Sequence, residues 1–170
     1  EITRPDQVWA TDITYIPMER GFLYLVALID LYSRYIVSWN LSISLEAEFC
    51  LAMLEDALDR SQPEILNSDQ GCQFTSEAWT ETLKKNGVQI SMDGKGRCMD
   101  NIYIERFWRS LKQEDIYRNP PGTVPQARQN IQDYMEFYNY RRLHQSLAYR
   151  TPVEMYVPNI KLGSMTRDCG

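Results

Sequence analysis

The stretch that decides the fold is residues 8–16, VWATDITYI. Apolar and β-branched residues dominate it, so it predicts a buried β-strand. Asp12 interrupts this strand with a carboxylate, and burying an uncompensated charge is costly in free energy. We therefore expect a cation beside Asp12, and a divalent metal ion would serve.

Two further carboxylates stand in similar settings. Asp69 follows the short apolar run 65–68 and precedes Gln70 and Gly71, where a strand gives way to a turn. Glu105 lies in residues 102–108, IYIERFW, which predict a helix. A metal shared by all three carboxylates would compensate their charges together.

Composition narrows the class of protein. The chain has 170 residues, of which 44% are hydrophobic and 12% aromatic, so it is expected to fold as one domain with a real core. No apolar run approaches the ~18–20 residues of a membrane span, and no signal peptide begins the chain. We therefore expect a cytoplasmic protein without a membrane partner. Four scattered cysteines and one histidine make a structural zinc site a poor explanation.

Charge is unevenly distributed along the chain. Residues 1–94 carry six Lys/Arg against fifteen Asp/Glu, whereas residues 95–170 carry twelve against eight. Basic residues cluster around Glu105, and Arg141, Arg142 and Arg150 surround His144. An acidic half that holds metal ions, followed by a basic half that faces phosphates, would explain this pattern, although such charge halves are common.

Hydrophobic periodicity and turn residues predict the elements. Five strands are predicted at residues 8–16, 22–30, 35–41, 65–68 and 88–92. Four helices are predicted. The first runs from an N-cap at Ser44 to about residue 60, and the second covers residues 76–86, with Gly87 after its end. The third runs from a cap at Asp100 or Asn101 to about residue 117, and the fourth covers residues 125–141. Residues 93–99 are expected to form a flexible loop, and residues 158–170 a flexible tail after a core of residues 1–157.

The order βββαβαβα, followed by a C-terminal helix, predicts an α/β protein of the RNase H-like fold, with a five-stranded mixed sheet flanked by helices. In that fold the first and fourth strands are neighbours, so Asp12 and Asp69 come together and a helix alongside delivers Glu105. Two metal ions ~3.5–4 Å apart could then clamp a phosphodiester. Mg²⁺ suits such a site because it prefers a few carboxylates, water and substrate phosphate.

Four motifs carry a family resemblance. Residues 9–16, 68–76 and 100–112 resemble the three catalytic motifs of bacterial insertion-sequence transposases with a retroviral-integrase-like core. Thirty-five residues separate Asp69 from Glu105, the spacing of the D,D-35-E group. Residues 137–152 resemble the family's C-terminal signature. Asn67 stands where relatives often have histidine, and Ala148 where glycine is common.

The resemblance implies a DNA strand cleavage and strand transfer enzyme that works by transesterification in transposition. Asp12, Asp69 and Glu105 would be its catalytic residues and the ligands of Mg²⁺, for which Mn²⁺ can substitute. Double-stranded DNA, both transposon ends and target, would be the partner of a dimer or larger homo-oligomer. The N-terminal region that reads the transposon ends is expected to be absent from this chain.

Helical spacing suggests further DNA contacts. Asn101, Glu105, Arg109 and Lys112 fall on one face of the predicted helix. With Lys95 and Arg97, the residues Asn101, Arg109 and Lys112 are candidate phosphate contacts. An ordinary solvated face explains Arg109 and Lys112 equally well.

Several alternatives stay open. Asp69 could serve only the turn, His144 is better explained as structural than as a ligand, and Tyr103 and Trp108 as packing groups. A catalytically silent DNA-binding or oligomerisation remnant of a transposase is the competing function. An RNase H-type nuclease that acts on hybrids is disfavoured by the C-terminal signature.

Overall fold

The computed structural model describes residues 1–92 and 101–157. The predicted loop 93–99, with Lys95 and Arg97, and the predicted tail 158–170 lie outside the described residues, as does Asp100.

One five-stranded sheet forms the centre of the protein, in the order β3-β2-β1-β4-β5. Its strands are β1 (Val8–Pro17), β2 (Phe22–Asp30), β3 (Ile36–Ser42), β4 (Ile65–Ser68) and β5 (Gln89–Met92). β1 pairs antiparallel with β2 and parallel with β4, so the sheet is mixed. This is the RNase H-like arrangement that the sequence predicted, with the first and fourth strands adjacent.

Helices cover both faces of the sheet. They are α1 (Ala47–Leu58), α2 (Cys72–Thr75), α3 (Glu77–Lys85), α4 (Ile102–Leu111), α5 (Val124–Tyr140) and α6 (Pro152–Tyr156). A π-helical turn, Lys112–Ile116, continues α4, and a 3₁₀ turn, Gln145–Leu147, precedes α6. The four main helices were predicted, whereas α2, α6 and the two turns were not.

Two hydrophobic clusters hold these layers together. On one face of the sheet, Ile104, Phe107 and Leu111 of α4 pack with Ile131 of α5 against β1 and β2. On the other face α1 and α3 cover the sheet, with Trp79 buried among them. β2 is buried on both sides because its alternate residues belong to different clusters, as its nearly unbroken apolar sequence predicted.

The predicted N-cap of the first helix is wrong. Helix α1 begins at Ala47 with Glu46 as its N-cap, whereas Ser44 was expected there. The chain is still turning at Ser44, because its N–H donates to Oγ of Ser42 at 3.1 Å. Backbone φ and ψ of −106° and 152° at Glu46 show that the extended conformation lasts until that residue.

Other helix ends agree with their sequence signals. Oγ of Ser76 accepts a hydrogen bond from the Trp79 N–H and caps α3, and Gly87 follows that helix with a φ of +71°. Asn101 occupies the N-cap position of α4. Over residues 1–92 and 101–157, no helix is long and apolar enough to cross a membrane.

Candidate active site

Asp12 lies in the middle of β1, the central strand, on the side that faces α4. Its Oδ2 accepts a hydrogen bond of 3.2 Å from Nε1 of Trp108. Burial raises the pKa of Asp12 above its usual value, although hydrogen bonds from the Ile13 N–H and Trp108 oppose the shift. The negative charges of Asp69 and Glu105 raise this pKa further. The ionised carboxylate is therefore under-compensated, which is the condition that a bound cation relieves.

Asp69 follows the last residue of β4, and strand pairing brings it level with Asp12. Val8 lies opposite Ile65 and Ala10 opposite Asn67. Extending the same parallel register by two residues places position 12 beside position 69. The predicted closeness of these two carboxylates thus follows from one strand pairing.

The turn after β4 holds the Asp69 carboxylate in place. Its Oδ1 accepts a hydrogen bond of 2.8 Å from the Gly71 N–H. A Cβ atom added to Gly71 would lie 2.9 Å from that oxygen, closer than side chains tolerate. The turn residues predicted from the sequence therefore also position the carboxylate, so the turn and the site are one feature.

Asp12 and Asp69 line a common cavity of about 180 Å³. Tyr15, Tyr24 and Leu45 contribute apolar walls, and Gly71, Gln73 and Phe74 close the side next to Asp69. Two carboxylates in one small cavity form a donor set that suits Mg²⁺, because this ion uses one or two carboxylates and completes its shell with water and phosphate oxygens.

Glu105 does not join that cavity. It is exposed on α4, and its charge reaches Asp12 only as a contribution to the raised pKa. Across the described ranges, no three Asp, Glu, His or Cys side chains are close enough to hold one metal ion together. The structure brings two of the three predicted ligands together, and the role of Glu105 stays a prediction.

The predicted basic face of α4 divides in two. Nζ of Lys112 donates a hydrogen bond of 2.7 Å to Oγ1 of Thr14, two residues after Asp12 on the same face of β1. Burial lowers the pKa of Lys112, and the charge of Asp12 opposes this. Arg109 is exposed and lines a different cleft with Arg106. Lys112 is thus part of the surroundings of Asp12, whereas Arg109 is not.

Sequence reasoning missed two neighbours of Asp12. Trp108 was expected only to pack, and it is indeed 6% exposed, but its indole N–H also binds the carboxylate. Its position three residues after Glu105 on a helix was the available signal. Thr14 was overlooked, although it shares a strand face with Asp12 by simple alternation.

Two residues of the C-terminal signature, Asn139 and Arg142, bind other elements of the fold. Asn139 on α5 binds the backbone of Ile36 twice, as acceptor from the N–H at 2.9 Å and as donor to the carbonyl at 3.0 Å. Arg142 donates to both carboxylate oxygens of Glu114, which also accepts a 2.6 Å hydrogen bond from the Tyr134 hydroxyl. Although burial alone would raise it, these donors hold the pKa of Glu114 below its usual value.

Comparison with known proteins agrees with this architecture. Two family models, both described as integrase core domain, match residues 2–98 and 86–152. The transposase for insertion sequence element IS904 of Lactococcus lactis is 38% identical over 154 residues, covering 88% of this chain and 61% of that protein. The putative transposase InsK for IS150 of Escherichia coli is 33% identical over 165 residues, covering 93% and 58%. The chain thus spans about three fifths of the length of these relatives.

Solved structures share the fold at low sequence identity. The HTLV-2 integrase catalytic core domain in complex with magnesium superposes with a TM-score of 0.71 at 17% identity, covering 90% of this chain and 97% of that one. A chain of the simian T-cell lymphotropic virus intasome, in complex with PP2A regulatory subunit B56 gamma, gives 0.76 at 15% identity, with coverage of 92% and 57%. Together with the family models and the transposase relatives, these observations show that the chain belongs to the integrase core domain family.

Proposed function

We propose that this chain is the metal-dependent catalytic core of a transposase, which cleaves DNA strands and joins them to target DNA by transesterification. The observation that carries the proposal is the shared cavity of Asp12 and Asp69, in which burial and the charges of Asp69 and Glu105 raise the pKa of Asp12. The relatives are transposases of insertion sequences, and they agree with this chemistry.

Asp12, Asp69 and Glu105 would hold Mg²⁺ or Mn²⁺. When bound, such ions activate a water or a DNA 3′-hydroxyl as nucleophile and stabilise the departing oxygen. The chain's own residues set the geometry: Trp108 orients Asp12, and the Gly71 N–H orients Asp69. Lys112 places a positive charge near Asp12, at the position where a phosphate would approach.

No covalent bond between protein and DNA is needed in this reaction. Water or the 3′-hydroxyl loses its proton as it attacks phosphorus, one P–O bond forms as another breaks, and the leaving oxygen takes up a proton. The cavity accordingly needs no nucleophilic Ser, Cys or Tyr.

We infer that DNA is bound by an assembly, since transposition joins two ends of one element. A dimer or larger homo-oligomer, working on DNA in the cytoplasm, is the expected form. Dimeric and trimeric forms are recorded for the HTLV-2 integrase core.

One observation favours a second candidate, a catalytically silent remnant that binds DNA or other copies of itself. Glu105 is exposed outside the cavity, and the described part of the chain contains no three-ligand metal group. Magnesium needs fewer protein ligands than that, so the enzyme is the better-supported proposal.

Nicking of a supercoiled plasmid in Mn²⁺ separates the two candidates, because it requires no knowledge of the transposon ends. The enzyme predicts metal-dependent nicking that Asp12→Asn and Glu105→Gln each reduce at least 100-fold. Glu81→Gln removes an exposed carboxylate from α3 and is the matched control.

Equal nicking by the wild type and both active-site variants would show contamination and contradict the proposal. Plasmid binding without any nicking by the wild type would establish the silent remnant. Loss in Asp12→Asn but not in Glu105→Gln would restrict the site to two carboxylates.

A further inference from the structure

A second concave surface lies beside α4, apart from the cavity of Asp12 and Asp69. It is a cleft of about 530 Å³, and it shares none of its lining residues with the cavity of Asp12 and Asp69. We call it the arginine cleft, after Arg34, Arg106, Arg109 and Arg142, which line it together with Tyr103 and His144. No acidic side chain is among the described residues that line it.

Within the described residues, three of the four arginines form no ion pair with a carboxylate. Of the four arginines, only Arg142 takes part in an ion pair among the described residues, with Glu114. The guanidinium of Arg34 lies 3.4 Å from the centre of the Tyr103 ring. Burial lowers the pKa of Arg34, the interactions with Tyr103, Tyr138 and Asp30 oppose the shift, and repulsion from Arg106 adds to it. The positive charge of the cleft therefore favours the binding of an anion.

His144 provides an independent observation that points to a ligand in this cleft. Its side chain is only 9% exposed, and within residues 1–92 and 101–157 its Nε2 has no hydrogen-bond partner. Nδ1 lies 3.4 Å from Nη1 of Arg142, which can only donate, so Nδ1 is the acceptor. In the neutral ring the hydrogen is then on Nε2. The Tyr138 backbone is the weakest of the influences on the pKa of His144, and no acceptor among the described residues meets hydrogen-bond geometry at Nε2. A buried N–H without an acceptor is rare in proteins and calls for one.

The His144 ring is neutral near pH 7. Burial and the charge of Arg142 lower the pKa of His144 to about 4. An anion in the cleft would offset the charge of Arg142 and Arg34 and raise that pKa again.

We propose that the arginine cleft binds a phosphate group of the DNA backbone, as a contact separate from the carboxylate site. The proposed function enters only in naming DNA as the source of the phosphate. A phosphodiester has two free oxygens, which suits the planar, two-pronged donors of arginine. The exposed Arg106 and Arg109 would meet the strand first. The half-buried Arg34, whose Nη1 donates to the carbonyls of Leu31 and Tyr32, would offer its remaining donors to the phosphate.

His144 is the chain's only histidine, so its ring C–H proton signals in NMR need no assignment. The experiment adds a 20-base-pair duplex to the protein at pH 7 in EDTA and follows those signals. The wild type is expected to show a saturable shift of the His144 resonances. The double variant Arg106→Gln/Arg109→Gln should bind the duplex at least tenfold more weakly, with the slope of log affinity against log salt reduced by about 2.

The matched control is Arg20→Gln/Arg118→Gln, which removes the same charge from exposed positions outside the cleft. Equal weakening in control and cleft variants, or a duplex that binds without moving His144, overturns the proposal. A parallel titration with inorganic phosphate tests the source of the anion. A shift with phosphate but none with duplex would assign the cleft to a free anion and overturn the DNA contact.

Failure of the proposed function is distinguishable from failure of this inference. Binding is measured without metal, and Asp12→Asn should bind the duplex as the wild type does. If the protein nicks no plasmid but shows the shift of the His144 signals, the phosphate-binding cleft is supported and the proposed enzyme activity is wrong. If the protein nicks the plasmid but the cleft and control variants bind the duplex equally well, the enzyme activity is supported and the phosphate-binding cleft is wrong.

Discussion

Nε1 of Trp108 donates a 3.2 Å hydrogen bond to Oδ2 of Asp12, across 96 positions of sequence. The bond joins α4 to the central strand at the carboxylate whose pKa burial raises. Because the indole N–H favours the ionised form, it partly offsets the cost of burial. The helix that presents Glu105 thus also controls the charge of Asp12.

Trp108→Phe tests that control. Loss of the N–H donor should raise the pKa of Asp12 further, so the rise of Mn²⁺-dependent nicking with pH should move to higher pH. The smaller ring should also reduce the free energy of unfolding by about 1–3 kcal/mol. A pH–rate profile of both proteins measures the shift.

Trp79→Phe is the control for this substitution. Trp79 is 1% exposed, and in the part of the chain described here its Nε1 has no hydrogen-bond partner. The substitution removes the same volume from the other face of the sheet, where Trp79 packs on Phe74, and it keeps the Trp108–Asp12 hydrogen bond, so the profile should stay where the wild type's lies. A displaced profile in Trp79→Phe would attribute the effect to general destabilisation.

Asp12→Asn should make the metal-free protein more stable at neutral pH. The pKa of Asp12 is raised, so the folded protein holds this proton more tightly than the unfolded chain does. Stability is therefore lost as pH rises from the usual value of 3.8 through the raised one. The gain in Tm over the wild type in EDTA should be larger at pH 7 than near pH 4, close to the usual value of 3.8.

Added Mn²⁺ should reverse that ranking, because the ion stabilises the wild type and not Asp12→Asn. Glu81→Gln should respond to Mn²⁺ as the wild type does. Equal Mn²⁺ stabilisation of wild type and Asp12→Asn would remove Asp12 from the metal site.

Gly71→Ala should damage the site more than the fold. Its φ of −59° suits any residue, so the backbone tolerates alanine. The added Cβ would lie 2.9 Å from Oδ1 of Asp69 and displace that carboxylate. Mn²⁺ affinity, measured by calorimetry, should fall ~10–100-fold, as for other groups that orient a ligand, with a stability change below about 1 kcal/mol.

Gly122→Ala is a suitable comparison, since its Cβ would meet the ends of two flexible side chains, Oε2 of Glu19 at 3.1 Å and Oε1 of Gln126 at 3.5 Å. Unchanged Mn²⁺ affinity in Gly71→Ala would mean that the turn does not orient Asp69.

The sequence was sufficient to predict the features that follow from the order and pairing of the strands. Alternation within β1 and the order of the strands suffice to bring Asp12 to Asp69, because the register of one parallel pair links them. It could not predict where α4 presents its side chains. Lys112 was predicted to share a helix face with Arg109, but its ammonium group binds Thr14 of β1. Lys112 is the first residue of a π-helical turn, and no local sequence pattern marks that turn. The direction of the Lys112 side chain follows from tertiary packing, which helical periodicity does not predict.

His144 should make stability depend on pH below neutrality. Burial and Arg142 lower its pKa to about 4 in the folded protein, whereas the unfolded value is 6.5. Between these values the unfolded chain binds the proton more strongly, so stability falls as pH drops from 6.5 towards 4. The loss should be of the order of 1–3 kcal/mol. Urea unfolding at pH 7, 6 and 5 should show a weaker decline in His144→Gln, and parallel curves would contradict the lowered pKa.

Asn139→Ala should destabilise the junction of α5 with the edge of the sheet. The Asn139 amide satisfies both the N–H and the carbonyl of Ile36, and Asn139 is 6% exposed. Truncation leaves two buried backbone groups without partners, so the free energy of unfolding should fall by about 2–4 kcal/mol. Gln132→Ala, at an exposed position of the same helix, should change it by less than about 0.5 kcal/mol. Because Ile36 begins β3, hydrogen exchange should rise first in that strand, and uniform exchange across the sheet would contradict a local clamp.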